Sequence, residues 1–264
     1  MKTFWLWSLA VVITLAAAVY QRVTGPTYEL KGTVAVAGAE LKYELPRSCD
    51  STEDCPITIQ APAGVEGYLE YRRFRTQEAL VRIPLVRRDG ELVGALPRQQ
   101  AAVKLAYTVI LASGDEIVPL AGGETVVARF KDPVPTGVLI PHIIIMFAGM
   151  LASTAAGLTA LDRKRNPRRM ALWAVGLLFV GGFIMGPLVQ KFAFGAYWTG
   201  FPLGADLTDT KTLISFLFWV GALIAGRKGR PARGAVIAAS VVTLVIFLIP
   251  HSLFGSELKP GQTG

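Results

Sequence analysis

Residues 137–189 read GVLIPHIIIMFAGMLASTAAGLTALDRKRNPRRMALWAVGLLFVGGFIMGPLV. Two apolar runs, Gly137–Leu161 and Met170–Val189, flank the polar break 162–169, which carries Arg163, Lys164, Arg165, Arg168 and Arg169. A helix needs about 20 apolar residues to cross the hydrocarbon of a bilayer. A cationic loop between two such runs marks the side that stays in the cytoplasm. The stretch therefore predicts a helical hairpin through a membrane.

Outward from it the pattern repeats. Thr212–Gly226 and Gly234–Pro250 are further apolar runs, parted by Arg227, Lys228, Arg230 and Arg233. The third run is short and is expected to borrow length from residues 206–211, with Thr208 or Asp209 as N-cap. Gly181-Gly182 and Gly186-Pro187 allow close packing or a kink. Residues 4–20 form another apolar run, read as an uncleaved anchor; a signal peptide cut near Ala16-Ala17-Ala18 is the alternative. Either one exports the residues C-terminal to it. The predicted domains are an N-terminal anchor at 1–20, an exported domain at 21–133 and a four-span helical domain at 134–264, five spans with the anchor retained.

An apolar content of 52% and a mean hydropathy of +0.45 agree with a membrane protein. The net charge of +8 is not spread evenly. Residues 21–133 hold 14 Lys/Arg against 15 Asp/Glu, so the excess lies in the two short loops. It reports topology, and nucleic acid is not expected as a partner. The expected location is a bacterial inner (cytoplasmic) membrane, with the N-terminus cytoplasmic and the β-domain and C-terminus periplasmic. The lipid bilayer, and a membrane or periplasmic protein, are the expected partners.

Between the anchor and the Asp132-Pro-Val-Pro hinge the period changes to two. Tyr28–Val36, Glu40–Leu45, Ile57–Ala61, Gly67–Phe74, Leu80–Val86, Glu91–Leu96, Ala102–Leu111, Ile117–Leu120 and Thr125–Phe130 read as strands between Gly-rich turns. The expectation is an immunoglobulin-like β-sandwich. Cys49 and Cys55, in a polar loop, are expected to pair as a disulfide in an oxidising compartment. Asp50, Glu53 and Asp54 lack the spacing of a calcium loop. Arg72, Arg73 and Arg75 read as a solvated strand edge. Nothing in this domain looks catalytic.

The helical domain holds an external loop, residues 190–211, QKFAFGAYWTGFPLGADLTDTK, and the chain's two histidines, His142 and His251. The predicted topology puts both histidines at the depth of this loop. Two imidazoles from facing helices can ligate haem iron. Tyr197 and Trp198, with Phe194 and Phe201, would wall a porphyrin, and Gly195, Gly200 and Gly204 would give clearance. Lys191, Lys211 or Lys259 would meet its propionates. Asp206, Asp209 or Glu257 would orient a ring or serve as metal ligands. A second metal reading is Cu(I) on His142, Met146 and Met150, which share a helical face.

Gly195-Ala-Tyr-Trp198 through Asp206, flanked by His142 and His251, resembles the haem-handling membrane proteins of cytochrome c biogenesis. Their tryptophan-rich external segment ends in an aspartate between two membrane histidines. The resemblance implies haem contact in the outer leaflet. This chain has one tryptophan in the stretch, no second pair of histidines and few spans. The Tyr-Trp-Thr-Gly … Asp-Leu-Thr-Asp pattern is also similar to that of bacterial inner-membrane proteins with no activity attached. The leading reading is a haem, or another metal, held at the outer face of the helical bundle for electron transfer or cofactor handling. The alternatives are a non-enzymatic scaffold docking a partner in a membrane complex, with its aromatics as an interface belt, and a quinone or lipid pocket. Soluble-enzyme motifs are lacking; His251 and Ser252 are adjacent and face different ways, so they make no triad.

Overall fold

The computed structural model describes residues 2–227 and 232–250. His251, Glu257 and Lys259 lie outside them. Two compact units appear, one of residues 27–133 and one of residues 2–26 with 134–250.

The first unit is all β. Strands β1 (Leu30–Val36) and β2 (Ala39–Leu45) form a hairpin. A second sheet runs β3 (Ser48–Asp50), β11 (Val126–Lys131), β9 (Lys104–Ser113), β5 (Glu66–Arg73) and β6 (Val81–Pro84), with β10 (Glu116–Pro119) also on β9. A third runs β4 (Cys55–Gln60), β8 (Glu91–Leu96) and β7 (Val86–Arg88). All three sheets feed one core, which includes Leu45, Ile57, Ile59, Leu69, Leu96, Val109 and Phe130. Inward residues alternate with outward ones, most plainly on β4, where Cys55, Ile57 and Ile59 are buried and their neighbours exposed. Tyr107 is buried as well, and its hydroxyl donates to the Pro46 carbonyl at 2.8 Å. Burial pushes that phenol well above its ordinary pKa.

Cys49 and Cys55 form the expected disulfide, and it ties β3 of one sheet to β4 of another. One expectation needs correction. Leu80–Val86 is not one strand. Pro84 cannot donate to a ladder, and Leu85 turns inward with its N–H on the Gly67 carbonyl, so β6 pairs with β5 and β7 with β8. Arg72 and Arg73 run past the end of β6 and pair on one side only, with Ala106 and Leu105 of β9, so they stand at an open strand edge. In the cysteine loop, Asp50 accepts from the Thr52 N–H and hydroxyl, and Asp54 accepts from the Arg98 N–H. Those donors hold Asp50 below the usual carboxylate range, the Thr52 backbone N–H most of all.

The second unit is helical. It comprises α1 (Thr3–Val23), α2 (Thr136–Leu161), α3 (Arg168–Phe179), α4 (Gly186–Phe194), α5 (Leu207–Ala225) and α6 (Arg233–Leu248). A π-helical turn, Val180–Met185, joins α3 and α4 into one helix, Arg168–Phe194. Among the described residues, four helices are long and apolar enough to cross a membrane: α1, α2, this joined helix and α5. α6 has 16 residues and rises about 24 Å.

Small residues let the helices approach. Gly157 of α2 faces Ser240 of α6, whose Oγ would lie 2.3 Å from a Cβ there. That hydroxyl donates to the Ser153 carbonyl at 2.9 Å. α5 and α6 are joined by a buried polar node. Thr243 Oγ1 donates to the Ala239 carbonyl and accepts from Trp219 Nε1 at 2.9 Å. Its one proton is spent, so Ser215 Oγ, 2.8 Å away, is the donor between the two hydroxyls.

Arginines close the basic end. Arg233, at the start of α6, donates to the carbonyls of Ala160, Asp162, Arg163 and Arg165. It thereby caps α2. Arg168 caps α5 by donating to the Gly226 carbonyl, and Arg165 reaches Thr3 of α1 and Asp162.

Candidate functional site

The aromatic segment is shorter than residues 190–211. The joined helix continues to Phe194, and α5 begins at Leu207. Apolar character runs on past Val189 through Phe192, Ala193 and Phe194, with no breaker before Gly195. There the chain turns left-handed (φ +81°), a conformation that favours glycine. The N-cap of α5 is Asp206, not Thr208 or Asp209: its carboxylate accepts from the Thr208 N–H at 2.7 Å. The loop proper is residues 195–206.

Its interior is polar. Asp209 Oδ2, on the first turn of α5, accepts from the N–H groups of Thr199 at 2.7 Å and Gly200 at 3.0 Å. The Thr199 hydroxyl also lies within reach of both Asp206 and Asp209, and Gln190 Nε2 donates to it. Thr210 Oγ1 donates to the Asp206 carbonyl and accepts from the Phe201 N–H. The Asp206 N–H closes the loop on the Thr199 carbonyl at 2.9 Å. Such closeness requires glycine. A Cβ on Gly204 would stand 2.2 Å from the Thr199 carbonyl oxygen, and one on Gly200 2.8 Å from the Thr210 nitrogen. The clearance expected for a porphyrin is thus filled at Gly200 by the first turn of α5 and at Gly204 by the loop's own backbone.

Its surface is apolar. Tyr197, Phe201 and Leu203 are 57%, 63% and 78% exposed. Trp198 turns inward, stacks on Phe183 at 5.7 Å between centroids and donates to the Phe201 carbonyl. Phe179 and Phe216 extend that aromatic cluster. Lys191 Nζ donates to the Gly195 carbonyl at 2.6 Å and lies 5.5 Å from the Tyr197 ring centroid. Lys211, expected as a surface cation, is instead buried, because the end of α6 packs over it. Its ammonium donates to the Ile249 carbonyl at 2.7 Å, and Gln21 of α1 donates to the same oxygen at 3.1 Å.

His142 lies in the second turn of α2, 3.0 Å through Nδ1 from the Gly181 carbonyl. A carbonyl only accepts, so Nδ1 carries the proton and Nε2 holds the lone pair in the neutral ring. Gly181 O also accepts from the Gly186 N–H, the five-residue spacing of the π turn. Met146 packs under Gly181, and Met150 is buried in the helical core. Among the described residues, no three His, Cys, Asp or Glu side chains converge to hold a metal. His142 is the one described residue of the expected set with a nitrogen suited to iron. Of the expected wall and cation residues, Trp198, Lys191 and Lys211 are engaged within the unit, while Tyr197 and Phe201 stand exposed.

The roles of Gln190, Thr199 and Thr210 are not legible in the sequence. Polar residues in a loop have no period, and their partners here lie nine or ten positions away. The signal that could have found them is the pair Gly200 and Gly204, flanking a polar-free surface. Compared with protein-family models, with curated proteins and with solved structures, the chain matches none of them.

Proposed function

We propose that this chain is a membrane-spanning accessory protein whose aromatic loop docks a protein partner within a membrane complex. The carrying observation is the inside-out construction of residues 195–206: donors and carboxylates are satisfied within, while Tyr197, Phe201 and Leu203 face outward. A fluid lipid interface does not reward a fixed backbone. A specific partner does, because pre-ordered groups lose less entropy on binding. In this reading the apolar helices cross a bacterial inner membrane with both basic loops cytoplasmic. The β-unit, read as immunoglobulin-like, is exported, in keeping with a disulfide that needs an oxidising compartment. Full-length chain extracted in mild detergent is expected to carry a stoichiometric partner, and Tyr197→Ser, Phe201→Ser, Leu203→Ser combined to lose it. A wild-type chain that purifies alone from its own membrane contradicts the reading.

One observation favours haem as a second reading: the Gly181 carbonyl orients the His142 ring and leaves Nε2 available. His251 would have to supply the other axial nitrogen. Purified full chain would then show a Soret band that disappears in His142→Ala and in His251→Ala. A colourless protein excludes this reading and leaves the docking one standing.

A further inference from the structure

The cations at the basic end of the helical unit fall into two groups. Arg233, Arg168 and Arg165 are spent on helix-end carbonyls, Thr3 and Asp162. Arg163, Lys164, Arg169 and Arg227 are exposed, and among the described residues their side chains have no ionic partner. The two loops contain one acid, Asp162, and it already accepts from the Lys164 N–H and faces Arg165. A fixed layer of unbalanced positive charge results. It lies where α2 and α5 end and the joined helix begins, the level at which lipid phosphates would meet apolar helices of this length.

We infer that Arg163, Lys164, Arg169 and Arg227 form a binding surface for anionic phospholipid headgroups. Arg233 and Arg168 hold the helix ends beneath it. The chemistry is that of guanidinium and ammonium groups on a phosphodiester: Arg can bind two oxygens at once, Lys acts as a point charge. The lipid, rather than free phosphate, is the source, because the cations ring apolar helix ends that already place acyl chains alongside. Each exposed cation near such a surface favours an anionic lipid by about fivefold.

The inference rests on the membrane-spanning reading, and the two can fail separately. Full-length chain in neutral detergent would be titrated with phosphatidylglycerol, phosphatidylcholine and inorganic phosphate, with bound lipid counted by native mass spectrometry. The expected result is preferential retention of phosphatidylglycerol. The combined Arg163→Gln, Lys164→Gln, Arg169→Gln, Arg227→Gln variant should lose at least about tenfold of that preference. Arg72→Gln with Arg73→Gln, on the β-unit, serves as a charge control and should change nothing. Equal retention of both lipids, an undiminished preference in the fourfold variant, or displacement by inorganic phosphate at millimolar concentration overturns the inference. Should the fourfold variant not fold, Arg163→Gln with Lys164→Gln, expected to lose about half of the effect on a logarithmic scale, decides in its place. Release of the chain from membranes by alkaline carbonate would instead refute the spanning reading itself.

Discussion

The two ends of the helical unit are built by opposite means. At the basic end, long cationic side chains reach across to carbonyls: one guanidinium, Arg233, holds four of them. At the aromatic end the backbone itself folds back, and carboxylates of Asp206 and Asp209 collect its N–H groups. The first device tolerates small shifts, since an arginine has many rotamers. The second does not, since two glycines sit against backbone atoms. The difference shows that the aromatic end is held to one shape while its apolar side chains stay outside. The basic end is merely tied shut.

Substitutions should expose that contrast. The largest effect is expected from Gly204→Val, which drives a branched side chain into the Thr199 carbonyl. Overpacking of this kind costs about 3 kcal/mol. Thermal unfolding should report it, together with loss of protection at the Thr199 and Gly200 amides in hydrogen exchange. Next is Asp209→Ala, which leaves the Thr199 and Gly200 N–H groups without their acceptor and should cost about 2 kcal/mol. Asp209→Asn should recover part of it, because the amide oxygen can still accept. At the opposite end, Arg233→Lys should cost about 1 kcal/mol, since one ammonium cannot span four carbonyls. Between the ends, Ser215→Ala removes one interhelical bond to Thr243 and should cost about 0.6 kcal/mol, the average for such a bond in membranes. An Arg233→Lys effect larger than that of Gly204→Val would invert the comparison.

The β-unit gives the smallest expected change. The folded-state pKa of Asp50 is depressed, so its contribution is present above the ordinary carboxylate value and fades as pH falls below about 4. Because the residue is only half-buried and its carboxylate screened by solvent, the effect should be slight. Asp50→Asn should flatten the acid limb of the unfolding curve by lowering stability slightly at neutral pH.

How much of the structure is legible in the chain depends on the reach of each interaction. Helices and most strands are legible because their hydrophobic period is local: residues 137–161 and 91–96 declare themselves within a few positions. β3 is not, since three residues paired in parallel with β11, some eighty positions on, leave no local pattern. In the sequence the joined helix reads as stopping at Val189 only because an aromatic composition resembles a loop at an interface. Lys211 has the look of a surface cation, and only tertiary packing brings the Ile249 carbonyl over it. The candidate site is legible in its apolar surface. Its polar interior is not, because Asp209 and Thr199 meet only when Gly200 and Gly204 permit it.

The docking claim is tested most directly by a photoreactive phenylalanine analogue placed at Leu203, the most exposed apolar residue of the loop, and activated in the chain's own membrane. The account predicts one discrete protein adduct, lost when Gly204→Val disturbs the loop while the chain remains in the membrane. Adducts to lipid alone, or a protein adduct that survives Gly204→Val undiminished, would contradict it.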